Sequence, residues 1–99
     1  MNEMDRILDR AKDRTGRMQD TLVGIDAIRG VAVSPGNIVT ATVNGLGTLV
    51  ELQITDAVTS MQARTVASLT VATIHQAVQQ AGVERDRLMT SLTRSLRDG

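Results

Sequence analysis

Phenylalanine, tyrosine, tryptophan and cysteine are all missing from the 99 residues, and histidine and proline occur once each, as His75 and Pro35. Each absence excludes something. Without cysteine there are no disulfides, thiolate metal sites or cysteine nucleophiles. A single histidine rules out any metal motif that needs two His or Cys ligands. Without aromatics the chain has no base-stacking platform of the kind that RNA and single-strand readers use. The core must be packed from Val, Leu, Ile, Ala and Met alone. Aromatic side chains bury the most area, so such a core is thin, and association between chains is one usual remedy. No apolar run approaches the ~20 residues of a membrane-spanning helix. The start, Met1 to Arg6, has no apolar stretch of the signal-peptide kind, so a cytoplasmic location is expected. Net charge is missing too: eleven basic residues stand against eleven acidic ones, and global charge makes no case for a polyanionic partner.

Little here suggests catalysis. His75 sits among Thr73, Ile74, Gln76 and Ala77, and a lone histidine on a helix is usually a surface or packing residue. No base–nucleophile pair is visible near it. Gly45-Leu46-Gly47 is too short, and too closely flanked by strands, to be a phosphate loop. Asp5, Asp9 and Asp13 share a helix face among arginines, which reads as a solvated charged face rather than a carboxylate metal site. The expectation is a chain that is not an enzyme and has no cofactor or metal.

What is present is periodic. Met4, Leu8, Ala11, Thr15, Met18, Leu22 and Ile25 alternate steps of four and three. This predicts a helix over residues 1–28 with a lengthwise apolar seam. Gly16 and Gly24 weaken it, so it needs a partner, either the chain's own C-terminal helix or a second chain. Residues 29–55 read as a β-meander. Val31 and Val33 alternate with Gly30, Ala32 and Ser34, and Ser34-Pro35-Gly36-Asn37 is a turn signal. Val39, Ala41 and Val43 alternate with Thr40, Thr42 and Asn44. Val50, Leu52 and Ile54 alternate with Leu49, Glu51 and Gln53. Asn44-Gly45 suits a tight type I′ turn, with a longer Asn44-Gly45-Leu46-Gly47 loop as the alternative.

Residues 57–97 are again helical by period. Asp56 or Thr59 is a candidate cap, and Thr59 with Gln62 fits a capping box. Ala67, Val71, Ile74, Val78, Ala81, Leu88 and Leu92 keep heptad spacing, interrupted by Arg85. Val66, Leu69 and Ala77 widen the apolar face where the helix crosses the sheet. Gly82 is a candidate bend or break. The fold class is therefore α+β: one domain over 1–99, with a long N-terminal helix, a three-stranded antiparallel meander and a long C-terminal helical segment. Three strands cannot bury their own apolar face, so helices must cover it, and with an aromatic-free core and two heptad-like helices a dimer is expected to complete the core. The candidate core and dimer residues are Met4, Leu8, Met18, Leu22, Val39, Val43, Val50, Leu52, Ile54, Val71, Ile74 and Val78.

The charges are patterned although they cancel. Arg6, Arg10, Arg14 and Arg17, spaced four, four and three, fall in one helical stripe about 80° wide. Such a stripe suits a phosphate backbone. An acidic stripe of Asp5, Asp9, Asp13 and Asp20 runs beside it. The pairs Arg6–Asp9, Arg10–Asp13, Arg17–Asp20 and Asp13–Arg17 have the spacing of helical ion pairs. A self-neutralised solvent face competes with a DNA-contacting one on these residues alone. Arg85, Arg87, Arg94 and Arg97 form a second basic set, opposed by Glu84, Asp86 and Asp98.

The order helix, meander, helix, together with Val39-Thr40-Ala41-Thr42-Val43-Asn44-Gly45 and Val50-Glu51-Leu52-Gln53-Ile54-Thr55-Asp56, resembles the YbaB/EbfC family of nucleoid-associated proteins. The seam of Met4, Leu8, Ala11, Met18 and Leu22 is similar to that family's first helix. The resemblance implies an intertwined homodimer with projecting helices that binds double-stranded DNA with little sequence specificity. Arg6, Arg10, Arg14, Arg17, Arg85, Arg87, Arg94 and Arg97 are the candidate phosphate contacts. Some actinobacterial relatives are associated with type VII secretion, which gives the alternative: a protein-interaction adaptor of the same fold, without DNA. This chain's first helix is less basic than the family pattern, and it lacks the Gly-, Pro- and Met-rich tails often seen there.

Overall fold

A helix of 25 residues opens the chain. The computed structural model describes residues 2–98, and α1 spans Glu3–Ala27. Asn2 caps it: its Oδ1 accepts from Asp5 N at 2.9 Å, satisfying one of the first-turn amides that have no helical partner. Glu3 and Asp5 place negative charge at the positive end of the helix dipole. At the other end Arg29 donates to the carbonyls of Asp26 and Ile28 at 2.7 and 2.8 Å. That closes the helix and turns the chain into β1 (Gly30–Val33).

β1, β2 (Val39–Val43) and β3 (Leu49–Ile54) form an antiparallel sheet in that order. Ser34 organises the first turn. Its Oγ accepts from the amides of Ile38 and Val39 at 3.2 and 2.9 Å. Gly36 follows Pro35 with φ 74°, as the third residue of a type II turn requires. The second connection is the longer loop, not the tight type I′ turn. Gly47 takes positive φ, at 82°, and Asn44 and Gly45 do not. Asn44 Oδ1 accepts from Leu46 N and Thr48 N. Gly45 is needed for a different reason: a Cβ there would run into the carbonyl oxygen of Ile25 and come within 2.8 Å of its Cγ2.

Across the ladders Ala32 faces Ala41, Gly30 faces Val43, Ala41 faces Leu52 and Val39 faces Ile54. Directly opposed residues share a face. One face thus holds Gly30, Ala32, Val39, Ala41, Val43, Leu52 and Ile54. The other holds Val31, Val33, Thr40, Thr42, Glu51 and Gln53. In β1 it is the small residues, not the valines, that turn inward; Val31 and Val33 are exposed.

The reason is α2 (Ala63–Asp98), 36 residues long, which lies over β1 and β2. Thr73, Ala77 and Ala81, four apart, are its buried residues, and Ala77 and Ala81 join Ala32, Ala41 and Val43 in the core, flanked by Ile28, Ile74 and Val78. A Cβ on Gly30 would collide with the carbonyl oxygen of Ala77 and sit 2.7 Å from Ala81 N. Helix and strand therefore touch backbone to backbone. The buried Thr73 hydroxyl is satisfied by donating to Leu69 O at 2.7 Å.

Three sequence expectations need correction. The segment expected to be helical from 57 is divided. A short 3₁₀ turn covers Asp56–Ser60, Met61 is extended, and α2 starts at Ala63. The Thr59–Gln62 capping box does not form, because the Thr59 hydroxyl donates to Asp56 O. α2 then runs through Gly82 as one helix. Finally, of the candidate core and dimer residues, Val39 and Val43 are fully buried within one chain, and Ile74 and Val78 partly so. Met4, Leu8, Met18, Leu22, Val50, Leu52, Ile54 and Val71 are exposed, and so is every residue of β3. The shape explains this: the chain measures 72 × 17 × 17 Å with a radius of gyration of 20.0 Å, against ~13 Å for a globule of about this length.

Candidate nucleic-acid interface

Past the sheet, α2 leaves the strands and runs antiparallel to α1. Gly24 lies against Leu88, and Arg17 Nη1 donates to both the carbonyl and the hydroxyl oxygen of Ser95, each at 3.0 Å. Arg17, Asp20, Thr21, Leu88, Ser91, Leu92 and Ser95 line the open groove between the helices. Arg17, Thr21, Gly24 and Ile28 are all partly buried. Their spacing of four, three and four puts them on one side of α1.

Arg6, Arg10 and Arg14 continue that same side toward the N-terminus. Residues 3–15 of α1 are all exposed, and this stretch, about 20 Å of helix, forms an arm toward the N-terminus. Arg6, Arg10 and Arg14 are exposed on this arm. The apolar seam of Met4, Leu8, Ala11, Met18 and Leu22 lies roughly a third of a turn away by helical period and is likewise exposed. The arm thus has two unpartnered surfaces, one of arginines and one of aliphatic side chains.

The expected charge pairing does not appear. Among the described residues the ion pairs are Arg85–Asp86 at 3.6 Å and Arg87–Glu84 at 3.1 Å. Arg6–Asp9, Arg10–Asp13, Arg17–Asp20 and Asp13–Arg17 do not close. Exposed helical pairs are worth only a few tenths of a kcal/mol, too little to hold two mobile side chains together. The aspartates therefore lower the local potential without occupying the guanidinium donors.

The second basic set separates into three environments. Arg85 is turned toward the sheet end, where its Nη1 donates to Gly45 O at 3.4 Å. Arg87 pairs with Glu84. Arg94 and Arg97 share an open groove with Asp86, Met89, Thr90 and Thr93, on the side of α2 away from α1. The arrangement brings together Arg6, Arg10 and Arg14 on one element and Arg94 and Arg97 on another, and holds Arg17 and Arg85 in intrachain contacts. No periodicity or motif marks Ser95, whose partner lies 78 residues away. His75 is exposed on α2. No group of three metal-binding side chains occurs among the described residues, and none of their helices is long and apolar enough to cross a membrane.

The chain is thus an α–β–β–β–α domain with a protruding helical arm, arginines along it and open surface grooves. The family model of the YbaB/EbfC DNA-binding family matches residues 1–96, and the chain belongs to that family; its role is DNA-binding and nucleoid-associated. The fold is similar to that in the crystal structure of an uncharacterized protein, HP0035, from Helicobacter pylori. The identity is 20%, the TM-score is 0.66, and the match covers 94% of this chain and 98% of that one. No curated protein matches the sequence.

Proposed function

We propose that the protein is a cytoplasmic homodimer that binds double-stranded DNA through phosphate contacts, with little sequence specificity, as part of the nucleoid. The observation that supports this reading is the exposed row Arg6, Arg10 and Arg14, which forms no ion pair among the described residues, on an arm that no other described residue covers. Guanidinium groups in such a row match the regular spacing of backbone phosphates. Arg94 and Arg97 extend the same chemistry to α2. Without Phe, Tyr or Trp there is no aromatic platform for stacking bases, which favours the backbone as the target. Dimerisation is supported by the aliphatic surface one chain leaves open: Met4, Leu8, Met18 and Leu22 on α1 and Leu49, Val50, Leu52 and Ile54 on β3. Contiguous rows of exposed aliphatic side chains on a helix and on a strand mark surfaces that a partner covers.

The test is a gel shift on two unrelated duplexes over a salt series, alongside sedimentation equilibrium. Both duplexes should bind equally and weaken steeply with salt. Arg10→Ala combined with Arg14→Ala removes four arginines per dimer, so the log–log salt slope should fall by up to about 3.6. Zero net charge favours the adaptor reading instead, which predicts no shift of either duplex even at low salt. A clean monomer in sedimentation would remove the dimer from the proposal.

A further inference from the structure

Arg17 belongs to the same helical stripe as Arg6, Arg10 and Arg14, yet its surroundings differ. Its Nη1 donates two hydrogen bonds to Ser95, one to the hydroxyl and one to the carbonyl oxygen, both at 3.0 Å. Ser95 is in the last turn of α2, which ends at Asp98. Carbonyls in a last turn lack helical partners and stand at the negative end of the helix dipole. A guanidinium from another helix answers both needs. Toward the N-terminus from Arg17, no residue of α1 makes a side-chain hydrogen bond or ion pair to α2 among the described residues. The Arg17–Ser95 clasp is therefore the last polar tie before the arm runs free.

We infer that Arg17 is a positioning residue: it sets the direction of the arm bearing Arg6, Arg10 and Arg14 by clasping the end of α2, and makes no phosphate contact itself. This rests on the DNA-binding reading above. A swinging arm must lose orientational freedom when it binds, so an arm already fixed at Arg17 presents its three arginines at lower entropic cost. The clasp acts on affinity while leaving the number of neutralised phosphates unchanged.

The salt slope separates the two roles. Arg14→Ala should lower the log–log slope by about 1.8 per dimer, two contacts at about 0.9 each. Arg17→Ala should lower affinity about tenfold, the size of a lost charge-assisted hydrogen bond, at every salt concentration and with the wild-type slope. Ser95→Ala removes the hydroxyl half of the clasp from the other side. It keeps every arginine and should give a smaller loss, again with the slope unchanged. Combined with Arg17→Ala, it should add little, because both changes break one contact. The Ser95→Ala measurement stands even where Arg17→Ala compromises folding. A slope that falls in Arg17→Ala as it does in Arg14→Ala would make Arg17 a phosphate contact and overturn the inference. So would strictly additive losses for Arg17→Ala and Ser95→Ala, or full affinity in both variants. A wild-type protein that shifts no duplex overturns the DNA reading itself, and the positioning role with it.

Discussion

The two ends of this molecule are held together in opposite ways. At the sheet end, small residues let backbones meet: Gly30 under Ala77 and Ala81, Gly45 under Ile25, with Val39, Ala41, Val43 and Ala77 at 0% exposure. At the arm end, long side chains reach across a gap, as Arg17 does to Ser95, and Met4 and Leu22 stay 63% and 61% exposed. The first kind of contact is dense and intolerant of added atoms. The second is sparse and depends on a few donors. A chain without aromatics obtains a rigid core by close approach rather than by bulk, and only over the part of its length where helix and sheet overlap.

Substitutions can sharpen or break this contrast. The largest effect is expected for Val43→Asp, which leaves a carboxylate unpaired in the buried face of β2. It should cost at least about 3 kcal/mol and abolish the cooperative urea transition at a fixed protomer concentration. Next comes Gly30→Ala. Its added methyl meets α2 backbone, which cannot swing aside as a side chain would, and urea titration should show a loss of about 2–3 kcal/mol. A neutral outcome would mean that α2 stands farther from β1 than the small residues imply. Leu22→Asp should leave the secondary structure seen by circular dichroism near wild type, while shifting sedimentation toward the 10.6 kDa chain. If Leu22→Asp instead unfolds the protein as thoroughly as Val43→Asp, arm and sheet end form one cooperative unit and the contrast fails. The smallest effect belongs to Asn2→Ala. Losing the Asp5 amide cap should cost about 1 kcal/mol, local to the first turn of α1, visible as faster hydrogen exchange there and in no other element.

The periodicities were legible because they are local. Steps of four and three gave α1. Alternation gave β2 and β3, though not their register partners, and the Asn44–Gly47 and Ser34–Asn37 turns were marked by residue type. Two kinds of feature were not legible. Which side of β1 turns inward depends on how closely α2 approaches, and Val31 and Val33 look more core-like in sequence than Gly30 and Ala32, which win that place. The fate of each arginine depends on neighbours far along the chain. Arg14 and Arg17 fall in one stripe by helical period, but only Arg17 meets Ser95, so one is exposed and the other is engaged.

The sequence by itself determined the family's order of elements, the apolar seam of α1 and the stripe of arginines beside it, because each is written in residues a turn or a strand apart. Only the tertiary structure decided that α2 spends its apolar face on β1 and β2 and stops short of the arm, leaving β3 and the α1 seam open. The physical reason is length and direction. A 36-residue helix that begins over the sheet and continues unbroken through Gly82 reaches α1 only along its last turns, and neither its start at Ala63 nor its continuity is encoded in the heptad spacing.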